Sequence, residues 1–341
     1  MNQRPYKMSD LKPWKSVAEQ LAILKGRGLQ VDNEPVALNY LARIGYYRLS
    51  GYWYPMREID TAASQQQQRP VRTDRFVTDS HFEAVVKLYV FDKKLRLLAL
   101  DALERIELAL RVDVAYLLGK KDPVAHTKPE CLHGNFSKRA IKKGRNQGKT
   151  EHQLWLDRYQ IQLHRARREP FVLHHADKYF NQLPIWVAIE VWDFGLLSRL
   201  FDGMQYADKN QIAQKYGLTD GNALAQWLRS LNFIRNVSAH HSRLWNINVL
   251  ELSPCPVGWP TMKNTRPFMY FAMMAHLLTV ICPNSSWISR LIELLHSHPM
   301  SGNGALTLDD FGVCNDWEEW LLRGQNENRR VHKCRGAGHI G

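Results

Sequence analysis

The sequence predicts an all-α protein. Apolar residues recur at spacings of three, four or seven along several segments, capping residues mark where these segments begin, and no stretch alternates convincingly between apolar and polar residues. With 341 residues, 45% of them hydrophobic, the chain can bury a large core. We therefore expect one large or two smaller helical domains.

Two helices are predicted at the start of the chain. A capping box at Ser16 begins a helix that ends at Gly26, and Asn33 begins a second helix that ends at Gly45. The aromatic run YYRLSGYWYP follows at residues 46–55. We interpret it as a helical corner packed on the core, with stacking on unpaired bases as the alternative.

A polar segment and a long helix come next. Residues 60–75 are Gln-rich and of low complexity, which predicts a surface loop. Ser80 and Glu83 form a second capping-box pattern, and an amphipathic stripe extends from there to Gly119. An unbroken helix of that length would span nearly 60 Å, so we expect a bend or break within it.

Two basic groups suit a phosphate backbone. The formal net charge is +13, which favours a polyanionic partner such as RNA. Six of the thirteen residues in 137–149 are basic, and RARR follows at Arg165–Arg168. A solvated, mobile loop is the alternative for the first group. The residues that we predict to contact RNA there are Lys138, Arg139, Lys142, Lys143 and Arg145.

Helical patterns fill most of the remaining chain. They cover IWVAIEVWDFGLLSRLF after Pro184, a shorter segment before Gly217, a long segment from Asp220, Phe268–Cys282 and Ser286–His296. The residues from Arg323 read as a polar, basic tail. We divide the chain into an N-terminal helical and aromatic region (1–79), a main helical domain (80–300) with a basic insertion near 120–150, and the C-terminal tail (301–341).

The segment LNFIRNVSAHHSRLWN carries the residues best suited to chemistry. If Leu224–Arg243 is a continuous helix, Leu224, Trp227, Leu228, Leu231 and Ile234 share one apolar face, and Arg235 lies at its edge. A polar stripe then holds Arg229, Asn232, Asn236, His240 and Arg243. It could be an ordinary solvated face, but it lacks the Lys, Glu and Asp that usually cover one.

This stripe combines phosphate donors with one acid–base group. His240 could take a proton from a 2′-hydroxyl or deliver one to the leaving 5′-oxygen, while Arg235 holds the phosphate. On one helix, however, a separation of five residues turns the two side chains about 140° apart. A symmetric dimer with two facing helices would supply both groups twice.

Four segments resemble the Abi-like family of bacterial abortive-infection proteins, in its AbiD and AbiF branch. They are NYLARIGYYRLSGYWYP, YVFDKKLRLLALDALERIELALR, LPIWVAIEVWDFGLLSRLF and RNVSAHHSRLWN. The spacing of Arg235 and His240 also resembles the R-x4–6-H motif of HEPN ribonucleases, in which a polar residue such as Asn236 follows the arginine. The resemblance covers roughly residues 10 to 300.

The resemblance implies a HEPN-type helical core with an added N-terminal helical region and irregular basic loops. It implies a metal-independent endoribonuclease toxin of phage defence or a toxin–antitoxin system, which uses 2′-hydroxyl attack and a composite site in a homodimer. Arg235, His240 and Asn236 would be catalytic, and a small noncoding RNA would restrain toxicity. Glu107 and Arg111 resemble an accessory E-x3-R motif, with a surface ion pair as the plainer account.

Other classes of function are less well supported by the sequence. The main alternative is a catalytically inactive RNA-binding protein that scaffolds a small noncoding RNA. Histidine pairs such as His174–His175 raise the question of a metal enzyme, but no usual ligand spacing or nucleotide-binding loop is present in the sequence. We expect no cofactor, no metal, no membrane association and a bacterial cytoplasmic location with reduced cysteines.

Overall fold

The computed structural model describes residues 12–179 and 182–324, and it confirms the all-α prediction. The only sheet within these residues is a two-stranded one. Its strands are β1 (Arg57–Ile59) and β2 (Arg72–Phe76). The helices are α1 (Val17–Gly26), α2 (Glu34–Ile44), α3 (Tyr46–Trp53), α4 (Thr61–Gln67), α5 (Phe82–Lys121), α6 (Gly134–Ser137), α7 (Glu151–Arg165), α8 (Pro170–Tyr179), α9 (Ile185–Ala188), α10 (Phe194–Asp202), α11 (Tyr206–Lys215), α12 (Gly221–Ala239), α13 (Pro267–Ile281), α14 (Trp287–His296) and α15 (317–324).

The chain forms two compact units whose boundary falls within α5. One consists of Met1–Lys93 with His296–Leu308, and the other of Lys94–Leu295 with Asp309–Gly341. The boundaries at residues 79 and 300 that we derived from the sequence remain predictions.

The two predicted N-terminal helices are confirmed. Ser16 and Glu19 complete a capping box at the start of α1, and the Asn33 side chain accepts a hydrogen bond from Val36 N at the start of α2. The aromatic run forms α3, in which Tyr52 and Trp53 are buried. Packing on the core is therefore the main role of this segment.

The Gln-rich segment forms a helix and a strand, so the prediction of a surface loop is wrong. Asp60 caps α4 by accepting a hydrogen bond from Ala63 N at 2.9 Å. Strands β1 and β2 pair in antiparallel register, and the Arg57 guanidinium lies 3.0 Å from the Asp74 carboxylate. The capping residue was visible in the sequence, but strand β2 reads RTDRF, which has no alternation of apolar and polar residues to recognise.

Helix α5 runs for 40 residues as one continuous α-helix, so of the predicted bend or break the break is absent, and the bend remains a prediction. Its apolar stripe is buried, including Val85, Leu88, Leu95 and Ile106. The predicted capping box is also wrong, because the helix begins at Phe82 and the buried Ser80 hydroxyl faces the Met56 carbonyl oxygen. Burial of the stripe, not capping, is what stabilises this helix.

The segment after Pro184 is divided where the sequence pattern suggested one helix. Helix α9 passes into a 3-10 turn at Ile189–Val191, and the chain extends at Trp192 before α10 begins. The break follows from Asp193, whose side chain caps α10 by accepting a hydrogen bond from Leu196 N at 2.8 Å. The break matters because it places Asp193 beside the candidate site.

Three further features of the described residues bear on the sequence predictions: the cysteines, the absence of a membrane-spanning helix among them, and helices α13 and α14. Cys131, Cys255, Cys282 and Cys314 are free thiols, whereas Cys334 and the tail after residue 324 lie outside the described part of the chain. No described helix is long and apolar enough to cross a membrane. Helices α13 and α14 confirm the predicted segments to within two residues at each end.

Candidate functional site

Helix α12 carries the main candidate residues on the edge of a buried face. The predicted apolar face is confirmed, since Leu224, Trp227, Leu228, Leu231 and Ile234 are buried. Arg235 and Asn236 are half-buried, and Arg235 Nη1 donates a hydrogen bond to Asn236 Oδ1 at 3.3 Å. This hydrogen bond joins two members of the predicted catalytic set.

The helix ends earlier than the sequence suggested. Ala239 is its last residue, His240 is the C-cap, and His241 has a left-handed φ of 58°. Ser242 N donates to Val237 O at 3.0 Å and His241 N donates to Ser238 O at 3.2 Å, which together form a Schellman motif. Glycine usually occupies the position of His241, so the helix end carried no recognisable signal.

This end changes the predicted polar stripe. His240 still donates its backbone N–H to Asn236 O at 3.0 Å, and it is exposed at the end of the helix. Arg243 lies beyond the turn, so its predicted position on the stripe is wrong. His240 keeps the helical hydrogen bond, so the helical-wheel angle of about 140° between Arg235 and His240 still applies, and only the residues from His241 onwards leave the predicted stripe.

Glu107 and Arg111 form a largely buried ion pair on α5. Arg111 Nη2 donates to Glu107 Oε1 at 2.7 Å and to the Trp192 carbonyl at 2.6 Å. Each side chain is only 15% exposed, so the interpretation as a surface ion pair is wrong. Removing one partner of such a buried pair strongly destabilises the folded protein, because the other charge is left buried and unpaired.

We call Glu107, Arg111, Asp193, Arg235 and Asn236 the central cluster, because Arg111, Arg235 and Asp193 all act electrostatically on the Glu107 carboxyl and Asn236 contacts Arg235. Burial raises the pKa of the Glu107 carboxyl. Arg111 and, more weakly, Arg235 act in the opposite direction, and the negative charge of Asp193 adds to the rise. The cluster thus brings together charged side chains from α5, α12 and the start of α10.

Sequence reasoning missed two residues of this environment. Asp193 accepts a hydrogen bond from Gln162 Nε2 at 2.9 Å in addition to capping α10. The Glu190 carboxylate lies 3.5 Å from Arg111 Nη1. An acidic residue before an apolar run is a capping signal that could have identified Asp193. Nothing local in the sequence indicates the interaction made by Glu190.

The other predicted RNA contacts on α12 are already engaged within the protein. Arg229 Nη1 lies 2.8 Å from the Asp202 carboxylate. The side-chain nitrogen of Asn232 lies 3.7 Å from where a Cβ on Gly195 would stand, so it packs closely on α10. Binding of a phosphate by Arg229 would have to compete with Asp202.

The basic insertion is a closed, exposed loop. Ile141 N donates to Lys149 O at 2.9 Å, and Gly148 N donates to Ile141 O at 3.0 Å. Its predicted RNA-binding residues are all exposed and form no ion pair within the described chain: Lys138, Arg139, Lys142, Lys143 and Arg145. These five cations therefore face solvent without an intramolecular ion pair, whereas Lys149 at the end of the loop lies 2.8 Å from the Asp157 carboxylate.

The donor set offers phosphate binding and proton transfer. Guanidinium groups can hold a phosphate, and an exposed imidazole can exchange a proton near neutral pH. Among the described residues no group of three His, Cys, Asp or Glu side chains is arranged to hold a metal ion.

The architecture defines an all-α protein with a charged cluster between its helices. The family model described as Abi-like protein matches residues 39–246, which is more than half of the chain. The chain therefore belongs to the Abi-like family, and this membership points to abortive infection as a form of phage defence. No curated protein and no solved structure shows significant similarity to the chain.

Proposed function

We propose that the protein is a metal-independent endoribonuclease of the HEPN type that acts as a toxin in phage defence, restrained by a small noncoding RNA. One observation supports the proposal: Arg235, although distant in the sequence from the Glu107–Arg111 ion pair, lies within electrostatic reach of the Glu107 carboxyl.

The chemistry follows from the groups available. His240 removes the proton of a 2′-hydroxyl, the oxygen attacks the adjacent phosphorus, and the 5′-oxygen leaves with a proton donated by the protonated His240 of a second copy, giving a 2′,3′-cyclic phosphate. Arg235 stabilises the charge on the phosphate, and Asn236 holds the guanidinium. Glu107 and Arg111 are positioning residues in this scheme because they act through Arg235.

The proposal includes a homodimer. The motif of one chain supplies a single proposed acid–base imidazole, His240, and in-line cleavage is best served by two acid–base groups. Leu108, Val112 and Tyr116 follow one face of α5, with exposed fractions of 49%, 67% and 79%, and alternate with the motif residues. Val112 and Tyr116 line a groove together with Trp186. An exposed apolar face next to the central cluster fits a second copy.

Two adjacent histidines provide a matched test of catalysis. Purified wild type, His240→Asn and His241→Asn are incubated with RNA in EDTA, and the cleavage rate and product ends are measured. We expect His240→Asn to lower the rate by about 100-fold or more, and His241→Asn to keep most of it. Equal rates would refute the role of His240, and RNA binding without cleavage in all three would favour the scaffold alternative.

The dimer is tested with two valine variants. Val112→Asp introduces a charge into the apolar face, whereas Val257→Asp introduces it at a fully exposed position elsewhere. We expect Val112→Asp to give a monomer in multi-angle light scattering and to lose activity, and Val257→Asp to remain dimeric and active. A fully active monomer would contradict the composite site.

A further inference from the structure

The groove that Val112, Tyr116 and Trp186 line is hollow beneath an exposed rim. Its volume is about 610 Å³, within the range of small-molecule sites. Val112 and Tyr116 are exposed, whereas Ala115 and Ile189, which also line the groove, are buried. The exposed side chains therefore form the rim and the buried ones the floor. A second copy that rests on the rim would close the groove without filling it.

Two exposed aromatic side chains stand in this groove. Tyr116 is on α5, and Trp186, on α9, is 52% exposed. Gly119 lies about one turn after Tyr116, and the Trp186 ring is 3.3 Å from where a Cβ of this glycine would stand. The missing side chain lets the indole approach the helix closely, while half of its surface stays accessible. Accessible aromatic rings stack on the bases of single-stranded RNA.

Glu190 adds a hydrogen-bond acceptor to the groove. Its side chain is 53% exposed, and the 3.5 Å separation of its carboxylate from Arg111 Nη1 leaves most of its acceptor capacity free. Among the four RNA bases, only guanine presents two adjacent donors, N1–H and the N2 amino group, on its Watson–Crick edge. Adenine and cytosine present an amino group beside an acceptor nitrogen. A carboxylate with two oxygens therefore favours guanine.

Cationic residues line the groove at two positions along α5. Arg111 belongs to the central cluster, and Lys120, which is exposed, lies nine residues further along the helix. This separation corresponds to about 14 Å along the helix axis. A strand of RNA whose scissile phosphate is at the central cluster can therefore place a neighbouring base in the groove and a further phosphate near Lys120.

We propose that this groove is a guanine subsite of the ribonuclease. An unpaired guanine of the RNA stacks on Trp186 beside Tyr116, its N1–H and N2 amino group donate to the Glu190 carboxylate, and Lys120 holds a neighbouring phosphate. The inference rests on the proposed function and names the base that the enzyme selects next to the cleaved bond. In the dimer, the second copy closes the groove over the base.

Binding of RNA that cannot be cleaved tests the subsite separately from catalysis. The probes are 2′-O-methylated pentanucleotides of uridine whose central residue is guanosine, inosine, adenosine or cytidine, titrated calorimetrically into the full-length protein. We expect the guanosine probe to bind about tenfold more tightly than the adenosine and cytidine probes. The inosine probe, which lacks the N2 amino group, should be intermediate. Equal affinities for all four probes would overturn the proposal.

Two pairs of variants locate the binding. Glu190→Gln should remove the preference for guanosine, because an amide offers only one acceptor beside its donor. Glu251→Gln, at an exposed acidic position outside the groove, should keep the preference. Trp186→Leu should weaken binding of all four probes about tenfold through loss of stacking. Trp14→Leu, at an exposed tryptophan elsewhere, should bind as wild type.

The oligomeric state of Glu190→Gln separates a base from a protein partner as the ligand of this carboxylate. We expect the variant to remain dimeric in multi-angle light scattering. A monomeric variant, or one that keeps the guanosine preference, would overturn the proposal. If the wild type cleaves RNA without any base preference, the subsite fails and the proposed function stands. If it prefers guanosine but cleaves no RNA, the proposed function fails and the groove remains a guanine-binding site.

Discussion

Glu107 and Arg235 interact electrostatically across two helices that are far apart in the sequence. The positive charge of Arg235 lowers the pKa of a carboxyl whose burial raises it. The same carboxyl accepts a hydrogen bond from Arg111. Glu107 therefore interacts with two arginines, with Arg111 through a hydrogen bond and with Arg235 through space. If these side chains act together, substitutions at them should have non-additive effects.

The first prediction concerns that coupling. Glu107→Gln keeps the shape of the side chain but removes its charge, so we expect Arg235 to be held less firmly and RNA cleavage to fall by about tenfold. In a double-mutant cycle with Arg235→Gln, the effects on the cleavage rate should be non-additive by about 0.5–3 kcal/mol. Glu104→Gln, an exposed acidic position on the same helix, is the control and should have no coupling to Arg235. Additive effects would argue against a shared site.

The basic loop should set the salt dependence of RNA binding. Replacing Lys138, Arg139, Lys142 and Lys143 with glutamine removes four exposed cations. The slope of log affinity against log salt should become shallower by about 0.7 for each phosphate of single-stranded RNA that is no longer neutralised. Fluorescence anisotropy over a series of salt concentrations measures this slope.

A second set of substitutions separates the loop from overall charge. Arg43, Arg75, Lys93 and Lys94 are exposed elsewhere, and their replacement by glutamine changes the net charge equally. We expect a much smaller change of slope in that variant. If both sets change the slope alike, the loop is an ordinary solvated segment.

The left-handed backbone at His241 predicts an order of stabilities. His241→Gly should be more stable than His241→Ala by about 1 kcal/mol, because a Cβ is unfavourable at this φ. Both variants remove the imidazole, so the comparison isolates the backbone. Urea unfolding measures the difference. Equal stabilities would contradict the claim that a Cβ is unfavourable at the left-handed backbone of residue 241.

The buried His126 predicts a loss of stability in acid. Its pKa is lowered from 6.5 to about 4 in the folded protein, so the unfolded state binds the proton more readily between these values. The stabilising contribution is complete above pH 6.5 and is lost as the pH falls towards 4, by up to about 3 kcal/mol. Chemical unfolding at several pH values should show a shallower pH dependence for His126→Phe than for wild type. Parallel curves would contradict the assignment.

Residues with strong local signals could be placed from the sequence. Ser16 and Asn33 marked helix starts because their side chains accept hydrogen bonds from the first turn. The buried face of α12 followed from the spacing of Leu224, Leu228 and Leu231. In each case the structure depends on neighbours within a few residues, which a single sequence contains.

What the sequence could not supply depends on interactions between distant segments. The electrostatic interaction of Glu107 with Arg235 depends on the tertiary arrangement of α5 and α12, and the role of Asp193 depends on the break before α10. The end of α12 was missed because His241 adopts a conformation that favours glycine. The Glu107–Arg111 pair was visible as an i, i+4 spacing, but its burial was not.

The turn at the end of α12 fixes the backbone of His240 but leaves its side chain exposed. Its main chain is fixed, because its N–H is bonded to Asn236 and the following residues close the Schellman motif. Its side chain is exposed, and exposed side chains change rotamer on the picosecond-to-nanosecond timescale. An RNA or a second protein chain that engages the ring must therefore freeze that rotation. In the proposed reaction, the position of the imidazole for proton transfer would then depend on the partner that binds, whereas the backbone of His240 is already in place.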